Sequence, residues 1–123
     1  MWPFRRRTPP SDVVRLGELS DNDNDYDVLT VGQSRLGESF QALGIQADTA
    51  ARYEWATLRP VVDPRMNAIA DITVIVDGHV VGYLRPPALD MAIALLSEHN
   101  TRTLEVPVRL AWGPAGPDAM VRL

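Results

Sequence analysis

The stretch Ile72-Thr73-Val74-Ile75-Val76-Asp77-Gly78-His79-Val80-Val81-Gly82-Tyr83-Leu84 decides how this chain folds. Ile72, Val74 and Val76 alternate with Thr73 and Ile75, which is the two-residue period of a strand, and β-branched side chains suit a pleated surface. Val80 to Leu84 resumes the pattern directly after Asp77-Gly78. An Asp-Gly pair between two such runs predicts a type I′ hairpin, because both central residues must take positive φ.

Working outward, Pro86-Pro87 ends the second strand and opens a helix, with Pro87 near the first position, where a missing N–H costs nothing. Leu89, Ala92, Ile93 and Leu96 recur at helical spacing and form its expected buried stripe. Asn100 suits the residue just past the helix end. Leu104, Val106, Val108, Leu110 and Trp112 then alternate with Glu105, Pro107 and Arg109, as in a half-buried strand. Pro107 cannot donate to a ladder, so it belongs at an edge or a bulge. Gly113 to Pro117 turns the chain into a last strand, expected over Met120 to Leu123.

Upstream, Val28 to Val31 reads as a first strand, residues 38–52 as short helical turns broken at Gly44, and Tyr53 to Val62 as a strand ended by Asp63-Pro64. The sum is a mainly β fold with one or two helices, most simply a small, partly open β-barrel capped by a helix.

A length of 123 residues fits one domain. Its folded part is expected over 28–123. Residues 1–27 lack periodicity and read as a disordered tail, first rich in Arg and Pro, then acidic. Within that tail, Asp21, Asp23 and Asp25 have the spacing of calcium ligands. A calcium loop would also need glycine at Tyr26 and glutamate at Gly32, and both positions fail. A solvated acidic linker is the expectation. The Arg5-Arg6-Arg7 run is followed by Thr8-Pro9-Pro10 rather than an apolar segment, so it is no signal peptide. No apolar stretch approaches the roughly 20 residues needed to cross a bilayer. A cytoplasmic location without membrane contact is expected.

Cysteine is absent, which excludes disulfides and thiolate metal sites. The net charge of −4 has the wrong sign for a bulk nucleic-acid binder, yet every basic residue is arginine. Each cation therefore offers a planar fork suited to phosphate or to stacking on a base. Only His79 and His99 are histidines. No Gly-rich phosphate loop, paired metal histidines or nucleophile elbow occurs. A non-enzymatic chain with no metal and no cofactor is expected.

One series of motifs resembles the HIRAN domain family. It comprises Trp55-Ala56-Thr57-Leu58-Arg59-Pro60, Asp63-Pro64, Asn67-Ala68-Ile69, and the block from Val76-Asp77-Gly78 to Gly82-Tyr83-Leu84. Upstream, Gly37-Glu38-Ser39-Phe40 with Gln41-Ala42-Leu43 is similar to a segment of many bacterial members. The likeness spans residues 28–112, about two thirds of the chain. It implies an OB-like barrel that grips single-stranded DNA, in some members by the free 3′ end. It also implies a DNA repair or replication setting with a helicase or nuclease partner. Carried over by position, it assigns Phe40 and Tyr83 as aromatic contacts to nucleic acid, Arg85 as a basic contact, and Asp63 and Asn67 as nucleic-acid-binding residues of the loop. Arg65 and Met66 stand where the family pattern has an Asp.

Independently of the resemblance, Tyr53, Trp55, Thr57 and Arg59 share one face of their strand. If Ala56 and Leu58 point inward, that face is an exposed aromatic–arginine row. If Trp55 points inward it is core, the usual place for a lone tryptophan in a small domain. A DNA-binding groove is expected to pass Arg59, Arg65 and Arg85. The alternative is a protein–protein interaction domain on the same barrel, with the acidic tail as docking segment.

Overall fold

The computed structural model describes residues 11–32 and 35–123. The Arg5-Arg6-Arg7 run lies outside the described residues. In chain order the elements are β1 (Ser11–Arg15), a 3-10 turn (Asp23–Asp25), β2 (Val28–Leu29), α1 (Gly37–Ala42) and β3 (Arg52–Asp63). Then follow β4 (Ala68–Val76), β5 (His79–Tyr83), α2 (Ala88–Glu98), β6 (Thr101–Gly113) and β7 (Gly116–Val121).

The central hairpin forms as its residues dictate. Val76 pairs with His79, and Asp77 (φ 52) and Gly78 (φ 80) both take the positive φ that the turn requires. Asn100 (φ 47) adopts the left-handed conformation just beyond α2. The α2 stripe faces inward, with Ala88, Ala92 and Leu96 buried and Leu89 and Ile93 packed on the core.

The sheet runs β2-β7-β6-β3-β4-β5, with β1 added to β6. All neighbours are antiparallel except β1, which runs parallel to β6. β6 is long enough to hold two partners along one edge, β1 against Thr101–Glu105 and β7 against Val108–Gly113. Pro107 falls at the handover between them. Its carbonyl accepts from the Arg122 N–H, and no ladder is broken by the hydrogen it lacks.

Alternation sets the faces. Leu104, Val106, Val108 and Leu110 of β6 lie inward with Ala56 and Leu58 of β3 and Ile72 and Val74 of β4, all fully buried. α1 packs against β5 and β7, and α2 against β4 and β6, so the two helices fill the concave side. Phe40 of α1 lies in that filling, completely buried.

The fold is mainly β with two helices, and the sheet is not closed into a barrel by a continuous ladder. Residues 28–31 cross between its two ends instead. Val28 and Leu29 pair with β7, the Thr30 N–H and hydroxyl both donate to the Ala119 carbonyl, and Val31 exchanges two backbone bonds with Tyr83 of β5. This crossing explains Gly82. A Cβ there would lie 2.5 Å from Thr30 Oγ1, so only glycine admits the crossing segment.

Two expectations are corrected. Residues 11–27 do not form a structureless tail: β1 joins the sheet, and the acidic segment after it lies on the sheet's outer face. Four paired residues and the Leu16 N–H to Glu105 carbonyl bond hold β1, a long-range pairing that local composition does not encode. The last strand begins at Gly116 rather than Met120, because Pro114-Ala115 alone makes the turn and Gly113 pairs with Gly116. No helix among the described residues is long and apolar enough to cross a membrane.

Candidate functional site on the outer sheet face

With its inner side covered by the two helices, the sheet itself presents its outer face and rims. Ala56 and Leu58 point inward, so Tyr53, Trp55, Thr57 and Arg59 form an outward row along β3. Trp55 is therefore not core. It is half-buried on the outer face, with the Arg15 guanidinium 4.2 Å above its ring centroid.

The β3–β4 and β4–β5 ladders extend this row sideways. Arg59 pairs with Thr73, and Thr73 pairs with Tyr83. Arg59 and Tyr83 thus lie on one face two strand spacings apart, about 10 Å. The Leu84 N–H bond to the Ile72 carbonyl carries the pairing one residue further. That places Arg85 on the same outward side, one step along from Tyr83. Arg85 also borders a recess of about 400 Å³ with Leu29, Val31, Pro87 and Met91, where the sheet's ends fail to meet.

Tyr83 is held from behind. Its backbone is bonded to Val31 in both directions, and Gly32 (φ 82) lies so close that a Cβ would come within 2.9 Å of the ring. The ring is partly exposed and fixed in place.

Asp63, Arg65 and Asn67 meet at the β3–β4 turn. The Arg65 N–H donates to Asp63 Oδ1 at 2.8 Å, and the Met66 N–H donates to the Asp63 carbonyl at 3.2 Å. Asn67 (φ 49) closes the turn in the left-handed conformation. Asp63 and Asn67 are turn-builders, and Arg65 projects from the tip, exposed.

Of the residues expected at the site, the structure brings together Arg59, Tyr83 and Arg85 on one face, with Arg65 at its end. Phe40 is removed from it: a fully buried ring cannot stack on a base. Arg59, Arg65 and Arg85 have no ion-pair partner among the described residues, whereas Arg15, Arg52, Arg102 and Arg109 each face a carboxylate.

The other end of the outward row is occupied by the chain itself. Tyr53 and Arg109 are direct neighbours across β3 and β6, and both hydrogen-bond to Asp23 Oδ1, Arg109 at 2.8 Å. The Tyr26 ring lies 5.5 Å from that of Tyr53. The Tyr53 hydroxyl and then Arg109 hold the Asp23 carboxyl below its ordinary value of 3.8. The same carboxylate raises Tyr53 above 10.0. Burial opposes the charge on Arg109, but Asp23, Tyr53 and Asp118 together outweigh this and raise it. Sequence reasoning missed this network. The outward phase of Arg109 on β6 was visible, but the return of Asp23 over the sheet was not.

No family model, no curated protein and no solved structure matches the chain.

Proposed function

We propose that this chain is a non-catalytic module that binds single-stranded nucleic acid, DNA above all, across the outer face of β3, β4 and β5. The observation that carries the proposal is the register Arg59–Thr73–Tyr83. It sets an arginine with no ion pair among the described residues and a braced tyrosine two strand spacings apart on the solvent face, with Arg85 beyond. Single strands are held by such pairs: cations track the phosphates while an aromatic ring stacks on a base, and stacking tolerates any sequence. Arginine suits both tasks through its planar fork. The likeness of the Asp77–Leu84 block to the HIRAN pattern supports the same reading and adds the 3′ end as the preferred target.

The test is fluorescence anisotropy with short labelled single strands, 3′-free or 3′-blocked, at two salt concentrations. Binding that weakens steeply with salt is expected, because phosphate contacts release counterions. Loss of binding on blocking assigns the end rather than the internal strand. Absence of binding at low salt overturns the reading.

A protein partner is the second reading, favoured by the apolar surface at the β3–β4 turn. Val61, Val62 and Met66 are 47%, 53% and 72% exposed there. Under that reading Met66→Ser weakens partner binding while Arg85→Ala leaves it unchanged.

A further inference from the structure

We propose that the acidic segment 18–27 is a strap that competes with nucleic acid for the Tyr53 end of the outward row. This inference rests on the nucleic-acid reading above and deepens it. The row on β3 is continuous in register, yet its two ends differ. Arg59 is open, while Tyr53 lies under the strap.

The strap's contacts have the chemistry of a nucleotide. A carboxylate oxygen of Asp23 accepts from the Arg109 Nε–H and the Tyr53 hydroxyl, as a phosphate oxygen would. An aromatic ring, Tyr26, lies against Tyr53, as a base would. The segment is acidic along its length, with Glu18, Asp21, Asp25 and Asp27 around Asp23.

It is held to the sheet mainly by side chains, whereas its neighbours are held by backbone ladders. β1 before it and β2 after it are fixed by backbone pairing. Between them, Arg122 donates to the Glu18 carbonyl at 2.8 Å, Asp23 takes its two bonds on one oxygen, and the Tyr26 ring is buried against Tyr53. Tyr26 and Ser20 bond each other, and Ser20 bonds Asp25, which shapes the strap internally without fastening it to the sheet. Lifting the strap leaves both anchors in place and uncovers the Tyr26 ring together with Tyr53. This exposes Tyr53 on β3 and, beside it on β6, Arg109, which extends the open face beyond Arg59.

A strand that needs the whole row binds only the open form, so its affinity is reduced by the open fraction. The variants Asp23→Asn and Asp23→Asn/Tyr26→Ala weaken the strap without touching Arg59, Tyr83 or Arg85. A dye on Asp21→Cys, unique because the chain has no cysteine, reports whether the strap is down. The expected result is a mobile dye in the double variant and strand binding tighter by roughly three- to tenfold. In the otherwise unaltered chain, adding the strand should release the dye.

Equal affinity in the unaltered chain and a variant with a freed strap overturns the competition and leaves the proposed function standing. A strap that stays down in the double variant also overturns it, since Asp23 and Tyr26 are then not what holds it. No binding by either chain, with the strap shown to be free, overturns the proposed function itself.

Discussion

At the scale of single residues, burial and pairing separate scaffold from surface. Phe40 is completely enclosed by the core, so Phe40→Ala should cost about 3–5 kcal/mol in chemical denaturation, through lost transfer energy and the cavity left behind. Gly82→Ala drives a methyl into Thr30 and should cost about 1–3 kcal/mol by the same measurement. Arg59→Ala and Arg85→Ala remove exposed side chains without ionic partners among the described residues, and each should change stability by less than about 0.5 kcal/mol. The Asp77-Gly78 turn and the end of α2 at Asn100 were legible because each rests on local backbone chemistry. The roles of Gly82 and Phe40 were not. Both depend on which distant segment lies alongside, and a glycine or phenylalanine reads the same in a site or in a core.

At the scale of elements, the strap and the strands behave differently with pH. Asp23 is held below 3.8 by the Tyr53 hydroxyl and Arg109, so its contribution to docking is complete above 3.8 and lost as pH falls through its lowered value. Tyr53 is raised by Asp23, so its contribution is complete below 10.0 and lost as pH rises through its raised value. Asp118, which also faces Arg109 at 3.5 Å, keeps that guanidinium engaged while Asp23 leaves. The strap should therefore lift at both extremes, read as chemical-shift changes confined to residues 18–27, Tyr53 and Arg109. The strands were legible because alternation marks one buried face, as on β6. The strap was not, since a run of Asp and Asn reads as a solvated linker until an arginine and a tyrosine are found beneath it. Trp55 shows the same limit: composition favours the core, whereas the inward phase of Ala56 and Leu58 puts it outside.

At the scale of the whole molecule, β3 joins two strands and β6 joins three, and the crossing segment 28–31 ties the free ends of the sheet together. Amide exchange should be slowest in β3, β4 and β6 and fastest in residues 18–25, where few backbone bonds are buried. This division gives the molecule a rigid outer face and one movable cover. The most direct measurement is the salt dependence of single-strand binding by the unaltered chain, Arg59→Ala and Arg85→Ala. Each substitution should weaken binding to all sequences about equally and reduce the slope of log affinity against log salt by about 1. Unchanged affinity and slope in both variants would contradict a nucleic-acid interface on the face of β3, β4 and β5.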